Sequence, residues 1–221
     1  MKVNTDGVLL AALTEGQSPA RVLDIGTGTG VIALMIAQRF SSASVDAVEM
    51  DPDAAATALK NFAASPFADR LHLYEGSFQE YGENEMKVLP KYDLIVSNPP
   101  YFLNSLRSPD GKKGMARHAE ASFFSDLMNF AAENLTEGGF LTLILPLSTS
   151  ALIGKMALSE DLYPLYEIII SSYANTKPVR KIISFGRTKK AFFSRNFVIY
   201  QRERHYSPEY QQALRDFFII F

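Results

Sequence analysis

The chain of 221 residues has no cysteine, which excludes disulfides, thiol nucleophiles and cysteine-based zinc sites. Histidine is almost as scarce. His72, His118 and His205 stand far apart, so a histidine-rich metal centre is not expected. No apolar run approaches the roughly 18 residues that a membrane-spanning helix needs. The opening MKVNTDGVLLAAL offers a lysine and an apolar run, but Asn4, Thr5 and Asp6 interrupt it and suit a helix cap better than a signal peptide. These absences predict a cytoplasmic protein with neither a metal nor a membrane partner. The 47% hydrophobic and 21% charged content is that of a globular chain, long enough for one well-buried domain.

The net charge of -2 hides an asymmetry. Residues 1–106 carry seven Lys/Arg against 13 Asp/Glu, whereas residues 107–221 carry 15 against 11. Within 177–204 nine basic residues face a single acid, Glu203. This stripe is either a solvated surface or a polyanion-binding face.

Short apolar runs alternate with segments of helical spacing. RVLDI (21–25), SVDAVEM (44–50), RLHLYE (70–75), YDLIVS (92–97), FLTLILP (140–146), LYEIIIS (165–171) and FVIYQ (197–201) read as seven strands. Residues 31–40, 51–65, 123–135 and the tail from Ser207 read as helices, with Pro52 and Pro208 in first-turn positions and Gly138-Gly139 as a cap after the third. The alternation predicts a mostly parallel sheet with helices on both faces. Residues 103–120 and 175–192 are polar, basic and rich in Gly and Pro, and are expected to contain sizeable loops.

Two stretches carry chemistry. LDIGTGTGV sets a strand, a tight glycine turn and a helix start in succession. Counted from Gly26, the dinucleotide fingerprint would need Gly or Ala at position 31, where Val31 stands. The pattern is G-x-G-x-G instead, with Asp24 just before it and Glu49 ending the next strand. An acid at that place accepts hydrogen bonds from ribose hydroxyls, or caps the following helix.

Together these residues resemble the S-adenosylmethionine site of the seven-stranded class I methyltransferases, which have a Rossmann-like α/β fold. The resemblance implies S-adenosylmethionine as cofactor, with Asp24, Gly26, Gly28 and Gly30 under its methionine portion and Glu49 on its ribose. The family often has an acid after the third strand for the adenine amino group. Here Ser77 stands in its place, so its hydroxyl or a backbone carbonyl takes that role, with Phe78 packing on the ring.

DLIVSNPPYF is the second stretch. The fourth strand ends on Asn98-Pro99-Pro100-Tyr101, beside the glycine loop, because strand carboxyl ends border the ligand crevice. This pattern resembles that of methyltransferases acting on exocyclic or amide NH2 groups. Such a nitrogen has a delocalised lone pair and is a poor nucleophile. The Asn98 side-chain oxygen and the Pro99 carbonyl would aim it and stabilise its developing positive charge, and Asn98 also borders the cofactor. Pro100 restrains Pro99, and Tyr101 offers a ring for stacking on a planar substrate. The bland alternative is a Pro-rich turn with a packed tyrosine.

The substrate remains open among nucleic-acid adenine N6, guanine N2 and protein glutamine on the motif alone. From MKVNTDGVLLAAL to HYSPEYQQALRDFFIIF, nearly the full length is similar to the bacterial valine-tRNA (adenine-37) N6-methyltransferases. The resemblance implies one methyltransferase domain over 1–221, acting as a monomer on a tRNA anticodon stem-loop, with Thr5 to Gly7 at the cofactor cleft and the basic, aromatic leading segment of relatives absent. Lys112, Lys113, Arg117, His118, Arg180, Lys181, Arg187, Lys189 and Lys190 are the candidate RNA contacts. The rival readings are a protein-glutamine N5-methyltransferase and a non-catalytic RNA-binding module of the same fold.

Overall fold

The computed structural model describes residues 4–16, 18–83, 89–99 and 111–219, with side chains in the last span from residue 121 onward. α1 (Thr5–Leu13) begins where Asn4 accepts the Gly7 N–H at 2.7 Å, an N-cap of the expected kind. β1 (Arg21–Ile25), buried from Val22 onward, runs through the glycine loop into α2 (Val31–Arg39). β2 (Ser44–Glu49) hands over to α3 (Pro52–Ala64), capped by Asp51 with Pro52 in its first turn. β3 (Leu71–Glu75), α4 (Phe78–Gly82), β4 (Tyr92–Ser97), α5 (Gly111–Asn134), β5 (Leu135–Leu145), α6 (Leu147–Ser159) and β6 (Tyr163–Ser171) follow. The chain closes with β7 (Arg180–Gly186), β8 (Phe193–Val198), a hairpin of β9 (Tyr200–Arg202) and β10 (His205–Tyr206), and α7 (Pro208–Leu214).

Eight strands form one sheet in the order β3-β2-β1-β4-β5-β7-β6-β8. All neighbours are parallel except at β7, which runs antiparallel to both β5 and β6. Parallel neighbours need crossovers, and the helices that supply them cover both faces. On one face α1, α2, α3 and α7 bury Leu10, Ile36, Phe62 and Leu214 against strand residues such as Val45, Val96 and Ile168. On the other, α4, α5 and α6 bury Phe78, Phe124 and Ile153 against Ile25, Ile95 and Phe185. Leu94, Ile95 and Val96 of β4 are sealed between these layers, so the chain that leaves β4 starts from a rigid base.

The expected mostly parallel α/β sheet is present, with eight strands among the described residues where seven were expected. The stretch 175–192, expected to contain a sizeable loop, has irregular chain on either side of β7, which the sequence reading did not place. Ile182, Ile183 and Phe185 are buried there, and a strand covered on both faces shows no alternation to set against its flanking Arg180, Lys181 and Arg187. The stretch 103–120, also expected to contain a loop, is helical from Gly111 on, because α5 runs through Gly114. α6 had no counterpart among the helices expected from the sequence.

Gly138-Gly139 does not cap a helix. α5 ends at Asn134, and the two glycines lie in β5 where the register against β4 jumps from Tyr92↔Leu135 to Leu94↔Phe140. A Cβ on Gly139 would stand 2.6 Å from the Tyr92 carbonyl oxygen, so close backbone approach requires glycine there.

Candidate active site

The glycine loop joins β1 to α2 at the carboxyl edge of the sheet. Gly26, Gly28 and Gly30 have φ of +73°, +60° and +87°, a left-handed region that favours glycine. The Gly26 and Thr27 N–H groups both donate to the Val48 carbonyl, at 2.9 and 3.1 Å, which ties the loop to the end of β2. Gly26 and Gly30 differ in what surrounds them. Among the described residues, chain neighbours aside, no atom lies within 4 Å of a Cβ built on Gly26, so its backbone borders open space there. A Cβ on Gly30 would meet the buried Phe62 ring at 2.5 Å, so that glycine serves the packing of α3.

Beneath the loop, Asp24 is fully buried. One carboxylate oxygen, Oδ2, accepts from the Thr27 hydroxyl at 2.6 Å and the Ala33 N–H at 3.1 Å. The other, Oδ1, has no hydrogen-bond partner among the described residues. Burial pushes the Asp24 carboxyl up to about 7, against the lowering effect of its two hydrogen bonds. A buried, half-satisfied carboxyl of this kind fits a cationic ligand, which would supply the missing partner and favour ionisation.

Glu49, 8% exposed, ends β2. Its Oε2 accepts the Gly28 N–H at 2.7 Å and its Oε1 the Asp51 N–H at 2.9 Å. Each oxygen keeps a second lone pair, so the carboxylate can still accept two hydroxyls. The bond to Gly28 makes it a clamp on the glycine loop, a role that the sequence did not suggest.

β4 pairs with β1, with Ser97 opposite Ile25, and the Ser97 hydroxyl donates to the Ile25 carbonyl at 2.8 Å. Asn98 therefore leaves the sheet next to Gly26. Its side-chain Nδ2 donates to Asn4 Oδ1 at 3.3 Å, which brings the start of α1 to the same edge. Pro99 is buried. Pro100 and Tyr101 lie outside the described residues.

Ser77 and Phe78 are engaged within the fold. The Ser77 hydroxyl accepts the Glu80 N–H at 3.1 Å, and Glu80 reaches back to the Ser77 N–H at 2.9 Å, a capping box for α4. Phe78 is wedged edge-on between Phe123 and Phe130, each 5.6 Å away.

The basic stripe divides. Arg180 pairs with Asp6 at 2.8 Å, Lys181 with Glu167 at 2.6 Å, and Arg195 with both Glu15 and Glu209. Arg187, Lys189 and Lys190 are exposed, with Lys189 over the Tyr163 ring. The side chains of Lys112, Lys113, Arg117 and His118 lie outside the described residues. Among the described residues no group of three or more His, Asp and Glu could hold a metal ion, and no helix is long and apolar enough to cross a membrane.

Reasoning along the sequence missed Asn4 and Thr27 as parts of this edge. Thr27 left a local trace, a hydroxyl three residues after Asp24 inside a tight turn, and Asn4 directly precedes Thr5 to Gly7, which were expected at the cofactor cleft.

The sheet order, the glycine loop over a buried acid and the acid ending β2 define a methyltransferase of the α/β class. Residues 4–152 match the family model of the methyltransferase small domain, and the chain belongs to that family. More particularly, it is 43% identical to a tRNA1(Val) (adenine(37)-N6)-methyltransferase from Pedobacter heparinus, across the whole of this chain and 92% of that protein. It is 41% identical to a protein of the same name from Parabacteroides distasonis, across 99% of this chain and 91% of the other. Among solved structures, a predicted O-methyltransferase from Agrobacterium tumefaciens superposes with a TM-score of 0.75 at 19% identity, covering 96% of both chains. TrmN from Thermus thermophilus gives 0.61 at 20% identity, over 82% of this chain and 48% of its own. At such identities these two structures speak for the fold alone.

Proposed function

We propose that this chain methylates the exocyclic N6 of adenine in tRNA, using S-adenosylmethionine, with adenine 37 of valine tRNA as its target. The observation that carries the reading is the emergence of Asn98-Pro99 from β4 directly beside the glycine loop. The full-length similarity to proteins named for that reaction supports the choice of substrate.

When bound, S-adenosylmethionine supplies a methyl group activated on a sulfonium. The residues around it fit such a ligand. Asp24 offers to an ammonium a buried oxygen that has no partner among the described residues, Glu49 has acceptor capacity for two ribose hydroxyls, and the described residues leave space beside the Gly26 backbone. Asn98 and Pro99 then act on the substrate. The side-chain oxygen of one and the carbonyl of the other accept from the two N–H groups of the adenine amino nitrogen, orienting it and stabilising the positive charge it acquires. No general base is needed, because the methylated cation loses its proton readily to water. Tyr101 would stack on the extruded base. Arg187, Lys189 and Lys190 follow β7 at the edge of the sheet that holds Tyr92, opposite Asn98, so they would meet RNA phosphates only away from the target base. The protein would work as a monomer in the cytoplasm.

The test is transfer from labelled S-adenosylmethionine to total tRNA lacking its own N6-methyladenine, followed by nucleoside analysis. A new N6-methyladenosine peak is expected. Asn98→Ala should lower turnover by roughly 10²–10³ while leaving cofactor binding in place. Label appearing on a protein glutamine instead of RNA, or turnover unchanged in Asn98→Ala, overturns the reading.

A further inference from the structure

Asn4 and Asn98 are 94 residues apart in sequence and meet through their carboxamides. A carboxamide is nearly symmetric in shape but not in chemistry, with an acceptor on one branch and a donor on the other. At Asn4 the choice of branch is settled locally. The Gly7 N–H can only donate, so the atom that receives it at 2.7 Å is an oxygen. That same oxygen faces Asn98 at 3.3 Å, so Asn98 must present its NH2 group there and direct its own oxygen the other way. The opposite flip would set two oxygens against each other.

The Asn4 oxygen is held on a firmly anchored helix. Near its start, Asp6 pairs with Arg180 of β7 at 2.8 Å, and Gly7 lies so close to Ile32 of α2 that a Cβ would be 3.4 Å from it. At its other end, Arg39 donates to the carbonyls of Ala11 and Thr14, at 3.0 and 2.7 Å. Just beyond, the Glu15 carboxylate pairs with Arg195 at 2.9 Å and the Glu15 N–H donates to the Tyr166 hydroxyl at 2.9 Å. A group carried on an element fixed at both ends can impose an orientation on its neighbour.

We propose that Asn4 is a positioning residue that sets the flip of the Asn98 carboxamide, so that an acceptor and not a donor meets the amino group to be methylated. This rests on the reading of Asn98 as the group that binds that nitrogen. With the wrong flip an NH2 would face the substrate NH2. The hydrogen bond would be lost, and a partial positive charge would stand where positive charge develops. Asn4 touches neither substrate nor cofactor in this role; it acts through Asn98.

Serine and aspartate at position 4 separate orienting from capping. Both cap a helix as well as asparagine does, but the serine hydroxyl branches directly from Cβ and cannot reach Gly7 and Asn98 together. Asn4→Ser should keep the melting temperature and cofactor affinity and lower kcat roughly fivefold to tenfold, the value of one ordinary hydrogen bond. KM for tRNA should stay within about twofold on the same grounds. Asn4→Asp, which restores an acceptor at full reach, should recover most of the lost kcat.

The decisive background is Asn98→Asp. A carboxylate has two equivalent oxygens and no flip to set, and one of them would face the Asn4 oxygen unfavourably. There, Asn4→Ser should leave kcat unchanged or raise it. An unchanged kcat for Asn4→Ser in the native background, or an equal fall in both backgrounds, overturns the assignment of Asn4 while leaving Asn98 in place. Full turnover by Asn98→Ala would instead remove the reading on which both depend.

Discussion

Asp24→Asn should stabilise the free protein and weaken its hold on the cofactor, and the size of the first effect should depend on pH. The buried carboxyl titrates near 7 in the folded chain and near 4 when unfolded. Between those values the native state holds a proton that the unfolded state has released. Unfolding then releases a proton, so the contribution of Asp24 to stability is fully present below pH 4 and is lost as the pH rises to 7. At about 1.4 kcal/mol for each pH unit crossed between the two titrations, roughly 2–3 kcal/mol disappears between pH 5 and pH 8, and nothing further is lost above that.

Asparagine carries no such penalty and can keep an oxygen on the Thr27 hydroxyl and the Ala33 N–H. Its advantage over the native protein should therefore grow by about 2–3 kcal/mol across that window, or roughly 5–10 °C in melting temperature for a domain of this size. Thermal melts of both proteins at pH 5, 6, 7 and 8, without cofactor, measure this difference. Calorimetric titration with S-adenosylmethionine at pH 5, 6 and 7, where the ligand's own α-amino group stays an ammonium, should show affinity rising with pH in the native protein and flat in the variant, since the ammonium prefers an ionised partner. A stability difference that stays constant from pH 5 to 8 would refute the account of Asp24.

Two further substitutions test other parts of the frame. Gly30→Ala places a side chain at φ +87° and 2.5 Å from the Phe62 ring, so it should cost about 1–2 kcal/mol for the backbone alone, and more for displacing Phe62. A melting curve that does not move would contradict the close packing of α3 on the loop. Tyr92→Phe removes a hydroxyl that lies 2.8 Å from both the Tyr81 hydroxyl and Asp46 Oδ2 in the interior. It should destabilise by about 1–3 kcal/mol, seen by denaturant titration. Turnover at 25 °C should be unchanged, because Tyr92 sits roughly 20 Å along β4 from Asn98.

Where the determining interactions are short in range, the sequence by itself determined the outcome. Asp51-Pro52 and Ser207-Pro208 announce α3 and α7 because a cap and a proline act within one turn. LDIGTGTGV announces β1, the loop and α2 because each glycine is needed where it stands, by its own φ or by one nearby ring. YDLIVS announces β4, and strand direction in a parallel sheet already places Asn98 at its carboxyl edge.

The tertiary structure alone decided the rest. Nothing local marks Arg180–Gly186 as the reversed strand between β5 and β6, since its apolar centre is covered from both faces and its basic ends read as a loop. Gly138-Gly139 looked like a helix cap until the Tyr92 carbonyl, on a neighbouring strand, showed what the missing Cβ makes room for. Arg180, Lys181 and Arg195, part of the basic stripe along the sequence, are answered by Asp6, Glu167, Glu15 and Glu209, acids brought to them only by folding. The contact of Asn4 with Asn98 is of the same kind. Each residue has a local reason to be where it is, one as a cap and one at a strand end, but the orientation that one imposes on the other exists only once α1 has been anchored beside β4.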